Sequence, residues 1–442
     1  MMTFNVTPGG RLQGCLRVPG DKSISHRAIM LGSIAEGVTE VHGFLEGEDS
    51  LATLAAFRAM GVRIEGPKQG RVTIHGVGLH GLKPSAGPLD LGNSGTSMRL
   101  LCGLLAGQRF DSVLIGDESL SRRPMKRVTE PLAGMGASII ATERGTAPLK
   151  IQGGQQLTGI DYVMPVASAQ VKSSLLLAGL YALGRTCVTE PAPTRDHTER
   201  MLTGFGHAVI RLDNRICVSD DRMNSALQAT AIDVPADISS AAFFMVGASI
   251  APGSDLVLEH VGVNPTRTGV ITILRLMGAD IELLNLREAG GEPVADIRVR
   301  HSRLRGIEIP LEQVPLAIDE FPALFVAAAC AEGITVLRGA EELRVKESDR
   351  IQVMADGLRV LGVQAQPTPD GIIIEGGHLG GGTIDSHGDH RIAMAFSIAA
   401  LRAQGAITIH DCANVNTSFP GFVDLARRAG LDITDDEELV KT

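Results

Sequence analysis

The chain has 442 residues, a formal net charge of −9, 44% hydrophobic and 21% charged residues, only 3% aromatics, no Trp and 52 Gly. That is the composition of an ordinary globular protein. It disfavours a nucleic-acid binder, which pairs basic stripes with stacking aromatics, and it requires a core of small and aliphatic side chains.

The N-terminal ten residues lack the charged start and apolar run of a signal peptide. No stretch reaches the 18 or so apolar residues of a membrane span. Six dispersed cysteines (Cys15, Cys102, Cys187, Cys217, Cys330, Cys412) form no C-x-x-C pair and read as buried thiols of a cytoplasmic protein.

In chain order, the first element is a short N-terminal strand, Arg11 to Val18. Next comes Gly20-Asp21-Lys22-Ser23-Ile24-Ser25-His26-Arg27, running into an apolar helix and then the strand Val38-Thr39-Glu40-Val41. The same grammar returns at Asn93-Ser94-Gly95-Thr96, Ser168-Ala169-Gln170-Val171-Lys172, Asp237-Ile238-Ser239-Ser240, Asp319-Glu320-Phe321-Pro322 and Asp389-His390-Arg391. Between the copies lie amphipathic helices closed by Gly61, Gly136, Gly206, Gly278, Gly362 and Gly430, each followed by a strand. Glycine at that position takes the left-handed conformation that reverses the chain. A period of roughly 70 residues is too long for a solenoid unit and suits a β-α-β-α-β module.

Six modules predict an α/β protein of two halves, because single cores rarely grow beyond about 250–300 residues. The expected domains are 20–233, carrying repeats 1–3, and 1–19 plus 234–442, carrying repeats 4–6 and the N-terminal strand. The expected hinge crossings fall near 18–20 and 231–235.

Chemistry concentrates at the helix starts. Lys22, Ser23 and Arg27 put cations and a hydroxyl where free N–H groups already favour anions, although a solvated helix start would look similar. Gly92-Asn93-Ser94-Gly95-Thr96 offers backbone N–H groups at close approach, as a plain strand-to-helix turn also would. Arg122, Arg123, Lys126 and Arg127 form a charge run that reads equally as a solvated face. Arg195 suits phosphate through its guanidinium fork, with Asp196 and Glu199 placed to pair with Arg200. In the second half, Asp319 and Glu320 open one helix. Arg344 to Arg350 supplies Lys346, Glu347 and Arg350 at helical spacing, and Arg391 opens another helix. No metal-ligand spacing occurs among the histidines, and no metal or cofactor is expected. Pooled in one cleft, these cations predict a small substrate, or a pair, with several negative charges; Asp319 and Glu347 remain for proton transfer.

Taken together, Gly20 to Arg27, Gly92 to Thr96, Arg123-Pro124-Met125, Ser168-Ala169-Gln170, Arg344 to Arg350 and Asp389-His390-Arg391 resemble the signature blocks of the 5-enolpyruvylshikimate-3-phosphate synthase family, in order and over essentially the whole chain. The resemblance implies two inverse α/β domains, each of three βαβαββ units, closing on substrate. It implies transfer of the carboxyvinyl group of phosphoenolpyruvate to the 5-hydroxyl of shikimate 3-phosphate.

By the resemblance, Lys22, Ser23, Arg27, Ser168, Ala169, Gln170, Arg195, Asp319 and Lys346 would hold shikimate 3-phosphate. Lys22, Gly95, Arg123, Gln170, Arg350 and Arg391 would hold phosphoenolpyruvate, and Asn93 would be a further substrate-binding residue. Asp319 would be the base, Glu347 the acid, and Lys346 would share the proton traffic. A monomer is the family expectation. Asn416 to Pro420 and Arg195-Asp196-His197 are similar to the family's second class, some of whose members tolerate glyphosate; Gly95, where tolerance is tied to alanine, leaves sensitivity open. The sister transferase acting on UDP-N-acetylglucosamine uses a loop cysteine that residues 108–127 lack, and a non-catalytic anion-binding paralogue would be expected to lose Asp319 or Glu347.

Overall fold

A computed structural model describes residues 2–219 and 226–437. The chain separates into two compact units, one of Gly20–Val234 with Ala289–Glu292, the other of Met1–Pro19, Pro235–Glu288 and Pro293–Thr442. Each is a mixed α/β body, and each contains three of the six sheets formed by the described residues.

The repeat is visible in strand order. In the first unit, Ala231–Asp233 runs parallel to Glu36–His42, which pairs antiparallel with Arg71–Val77, which pairs antiparallel with Arg63–Lys68. The same parallel, antiparallel, antiparallel sequence joins Leu89–Asp90, Ser112–Ile115, Leu149–Gln152 and Ser138–Ile140. It recurs in Asp161–Val163, Arg185–Thr189, Arg215–Ser219 and Val209–Leu212.

The other unit closes with borrowed strands. Gln13–Leu16 supplies the parallel edge beside Asp255–Gly262. Met2–Val6 inserts antiparallel between Ile407–His410 and Ile433–Glu437. The expected N-terminal strand therefore exists, but a second one precedes it that the sequence reading did not foresee. In the first unit the strand completing repeat 1 likewise comes from the far end, after repeat 3.

Six apolar helices follow the six motifs: Lys22–Ile34, Gly95–Ala106, Ala169–Gly179, Ile238–Ile250, Phe321–Ala329 and His390–Ala399. Side chains of Asp21, Ser94, Ser168, Asp237 and Asp389 accept a hydrogen bond from the first turn in five of them, satisfying N–H groups that no helical carbonyl reaches. In the sixth, Phe321–Ala329, Glu320 makes no such bond and a proline occupies the first turn.

These helices pack directly on one another within each unit, which explains the shortage of aromatics. A Cβ added at Gly103 would lie 1.9 Å from the Ser174 carbonyl oxygen, so only glycine allows that approach. All six expected helix-closing glycines have positive φ, from 82° at Gly206 to 114° at Gly430.

The cysteine reading needs correction. Cys187 and Cys217 are joined by a disulfide, because the register of Arg185–Thr189 against Arg215–Ser219 sets them directly opposite. Cys15 is exposed rather than buried. Thirty residues of separation hide a cross-strand pair that only register creates.

Candidate active site

The expected site residues form two groups, one in each unit. In the unit Gly20–Val234, Lys22, Ser23 and Arg27 share the first turns of one helix. The Lys22 ammonium lies 3.0 Å from Asp49 Oδ2. Asp49 was absent from the sequence reading, since it sits in the first turn of the next helix, Glu48–Ala59, where an acidic residue looks like simple dipole complementarity.

Arg27 is nearly enclosed. Its Nε donates to Thr198 Oγ1 at 2.7 Å, one terminal nitrogen to Ser173 Oγ at 2.8 Å and the other to the Ser23 carbonyl at 2.9 Å. Burial brings its pKa down to about 10, while Glu199, Asp21 and Glu292 raise it and Arg195 lowers it.

The glycine turn is tied to its neighbours through both faces of one amide. Asn93 Nδ2 donates to Asp117 Oδ2 at 2.7 Å, and Arg123 donates to Asn93 Oδ1 at 2.7 Å. Of the four cations in that charge run, Arg123 is buried, whereas Arg122 is exposed and pairs with Glu118. A Cβ at Gly95 would meet Arg99 Nη1 at 2.9 Å and Arg123 Nη1 at 3.0 Å. An alanine there requires both guanidinium ends to give way.

Ser168 caps the third motif helix and Ala169 begins it. Gln170 bridges two elements, accepting from Arg99 Nη1 at 2.6 Å and donating to Thr96 Oγ1 at 2.9 Å. Arg195 is half-buried just before the helix His197–Gly204. Asp196 pairs with Arg200 at 2.9 Å as expected. Glu199 does not, and turns inward to Lys172 at 2.7 Å.

His26 lies behind this group, fully buried, with Nδ1 2.7 Å from Thr53 Oγ1 and 3.2 Å from Ser97 Oγ. It links the first motif to the second. Burial, with Lys22 and Arg27 nearby, holds its pKa well below the usual value. Between that folded value and the ordinary 6.5 the unfolded chain carries a proton that the folded chain does not. Its contribution is therefore complete above about pH 6.5 and is lost as pH falls, by about 1.4 kcal/mol per pH unit. His26→Asn is expected to flatten the fall in urea-unfolding stability between pH 6.5 and 5.5 by about 1 kcal/mol relative to wild type, since the unfolded imidazole is only half protonated at the upper limit. An unchanged slope would contradict a neutral His26.

In the other unit, the segment Glu341 to Arg350 is a short 3-10 turn leading into the helix Arg350–Val360. Its charged side chains do form ion pairs, Arg344 with Asp349 and Lys346 with Glu342, but on a half-buried turn and not on an exposed helix face. Arg350 is 1% exposed, with Nε 2.8 Å from Asp389 Oδ2 and a terminal nitrogen 2.6 Å from Glu347 Oε2. Asp319 Oδ1 lies 3.5 Å from Arg350 Nη1 and 3.4 Å from Lys346 Nζ. Arg350 Nη1 has no hydrogen-bond partner. Burial would lower the Arg350 pKa, but Asp389, Glu347 and Asp319 together raise it above the ordinary arginine value. Arg391, buried, follows Asp389 and donates its backbone N–H to Asp389 Oδ1 at 3.0 Å.

This group can hold an anion at Lys346 and Arg350 and offer carboxylates at Asp319 and Glu347 beside it. Sequence reasoning missed Asp389 as the buried counter-ion of Arg350, a pairing across 39 residues. Among the described residues, no three His, Cys, Asp or Glu side chains are grouped to hold a metal, and no helix is long and apolar enough to cross a membrane.

Residues 6–425 match the family described as EPSP synthase (3-phosphoshikimate 1-carboxyvinyltransferase). The chain is 73% identical to the 3-phosphoshikimate 1-carboxyvinyltransferase of Methylococcus capsulatus, covering 98% of each. It is 70% identical to that of Alkalilimnicola ehrlichii over 98% of this chain and 97% of the other. Among solved structures it is similar to the EPSP synthase of Acinetobacter baumannii, at 62% identity and a TM-score of 0.88, covering 99% of this chain and all of that one. The enolpyruvyl transferase NikO of Streptomyces tendae, at 16% identity and a TM-score of 0.79 over 98% of this chain and 99% of that one, shares the fold. A family profile spanning nearly the whole chain, relatives of this identity at full length, and the six-repeat architecture agree: the chain belongs to the EPSP synthase (3-phosphoshikimate 1-carboxyvinyltransferase) family.

Proposed function

We propose that this chain transfers the enolpyruvyl group of phosphoenolpyruvate to the 5-hydroxyl of shikimate 3-phosphate and releases phosphate, the shikimate-pathway step toward aromatic amino acids. The observation that carries this reading, beyond family membership, is the Asp319 carboxylate held between Lys346 and Arg350, with Glu347 on the same guanidinium. One carboxylate can take a proton while the other gives one, and the cations between them stabilise the charge that moves.

The hydroxyl oxygen bonds to C2 of phosphoenolpyruvate as Asp319 takes its proton, and Glu347 delivers a proton to the methylene carbon. The product is a tetrahedral ketal. Its C2–O bond to phosphate then breaks, and a proton leaves the new methyl group to restore the double bond. Lys346, 3.4 Å from Asp319, shares this proton traffic.

Arg27 and Arg195, with Ser23, Ser168, Ala169 and Gln170, hold shikimate 3-phosphate. Lys22, Asn93, Gly95, Arg123, Arg350 and Arg391 hold phosphoenolpyruvate, placing charge before the reaction needs it. Closure on the substrates, as the family resemblance implies, would exclude water; the crossings near 18–20 and 231–235 would be its hinges. The chain is proposed to act as a cytoplasmic monomer without cofactor, on the family resemblance rather than on its thiols.

Wild-type protein given both substrates is expected to release phosphate, with no release when UDP-N-acetylglucosamine replaces shikimate 3-phosphate. Release with the nucleotide sugar alone would overturn the choice of acceptor, and release with neither would overturn the enzyme reading.

A further inference from the structure

Lys172 lies in the third motif, yet no role in the reaction falls to it. Its ammonium is fully buried, 3.1 Å from Glu190 Oε2 and 2.7 Å from Glu199 Oε1, and donates to the Thr194 carbonyl at 3.4 Å. These three partners have a common feature. Glu190 follows the strand Arg185–Thr189, Thr194 lies in the connecting segment, and Glu199 is in the first turn of the helix His197–Gly204. One cation thus ties both ends and the middle of the segment that carries Arg195.

The segment has further supports on the same side. Thr194 Oγ1 donates to Glu190 Oε2 at 2.6 Å, and Asn214 Nδ2 donates to the Glu190 carbonyl at 2.9 Å. Ser173, next to Lys172, and Thr198, next to Glu199, hydrogen-bond each other at 2.7 Å, and both accept from Arg27. A hydroxyl pair and a charge cluster therefore stand side by side behind Arg27.

The charge count is the informative part. Glu190 and Glu199 are two buried carboxylates, and Lys172 is the cation in close contact with both; Arg211, more exposed, stands 3.7 Å from Glu190. Apart from the 2.7 Å contact with the Lys172 ammonium, neither oxygen of Glu199 has a hydrogen-bond donor, so its buried charge relies on Lys172. Glu199 also acts electrostatically on Arg27, as does Arg195 with the opposite sign. Without Lys172 a buried carboxylate must find another cation, because leaving it unpaired is costly. Arg27 is within its electrostatic reach.

We propose that Lys172 is a positioning residue: by neutralising Glu190 and Glu199 from behind, it fixes the segment that carries Arg195 and leaves Arg27 directed to shikimate 3-phosphate instead of to Glu199. This rests on the assignment of Arg27 and Arg195 to shikimate 3-phosphate.

Steady-state kinetics on the full chain tests it, with each substrate varied separately. Lys172→Met is expected to raise the KM for shikimate 3-phosphate at least tenfold, with the KM for phosphoenolpyruvate within twofold and kcat within threefold. Adding Glu199→Gln removes the carboxylate that acts on Arg27, leaving Glu190 to Arg211, and is expected to return the KM for shikimate 3-phosphate to within threefold of wild type. A general loss of packing would not be repaired by that second change. An unaltered KM in Lys172→Met, a parallel loss in both KM values and kcat, or failure of the double variant to recover overturns the proposal.

If Lys172→Met does not fold, Glu199→Gln alone decides. A KM for shikimate 3-phosphate within twofold of wild type supports Lys172 as the group that handles this charge. A tenfold rise means that the carboxylate orients the arginines directly, and Lys172 does not. A wild type that fails to turn over shikimate 3-phosphate brings down the function reading itself, whereas an active wild type with an indifferent Lys172→Met brings down the role of Lys172 alone.

Discussion

Asp319→Asn is expected to lower kcat by about 10²–10⁴-fold, the range that a positioned proton acceptor contributes, while shikimate 3-phosphate still binds measurably by calorimetry. Asparagine keeps the shape and a hydrogen-bonding oxygen near Lys346 and Arg350 but cannot take a proton at neutral pH. The fold should tolerate the change. Asp319 is partly exposed, and Arg350 keeps Asp389 and Glu347 as counter-ions, so no buried charge is stranded. The measurement is phosphate release at saturating substrates beside a thermal melt. A kcat within fivefold of wild type, with an unchanged melt, would remove Asp319 from the proton path.

The largest stability effect is expected at Asp389. Its carboxylate is fully buried, accepts from Arg350 Nε at 2.8 Å and from Ser348 Oγ at 3.0 Å, and caps the helix His390–Ala399 through the Arg391 N–H. Asp389→Ala leaves the Arg350 guanidinium in a dry site with one strong partner fewer, and breaking such a pair costs about 3–5 kcal/mol. Asp389→Asn, as good a cap as aspartate, is expected to recover about 1 kcal/mol of this through the helix terminus alone. Urea unfolding of both variants checks the pair. A loss below about 1 kcal/mol in Asp389→Ala would show that Arg350 is adequately held by Glu347 and Asp319, and the buried Arg350–Asp389 pair would lose its place as the foundation of this half-site.

Much of the architecture is legible in the sequence because its signals are local. A glycine that must adopt positive φ has few substitutes, so Gly61, Gly136, Gly206, Gly278, Gly362 and Gly430 mark helix ends directly. Asp21, Ser94, Ser168, Asp237 and Asp389 mark helix starts in the same way, since a cap is a bond between residues two or three apart. Lys346, Glu347 and Arg350 share one short segment, so closeness in sequence alone makes them neighbours, although Lys346 and Glu347 lie in bends before the helix that Arg350 begins.

What the sequence does not carry is set by register and by desolvation, both of which depend on residues far along the chain. Met2–Val6, from the far end of the chain, takes the place in the last sheet that Arg71–Val77 takes in the first. Cys187 meets Cys217 because two strands align at one register. Arg123 turns inward while Arg122 stays in water, although a charge run presents both alike.

Lys172, Glu190 and Glu199 make the same point more sharply. Each reads as an unremarkable charge in its own neighbourhood, and Glu199 reads as a partner for Arg200. Only the approach of Ala169–Gly179 to the segment running from Arg185–Thr189 into His197–Gly204 brings the three together out of water. There a charge must be matched by another within a few ångströms, and that requirement of the folded interior selects the partner.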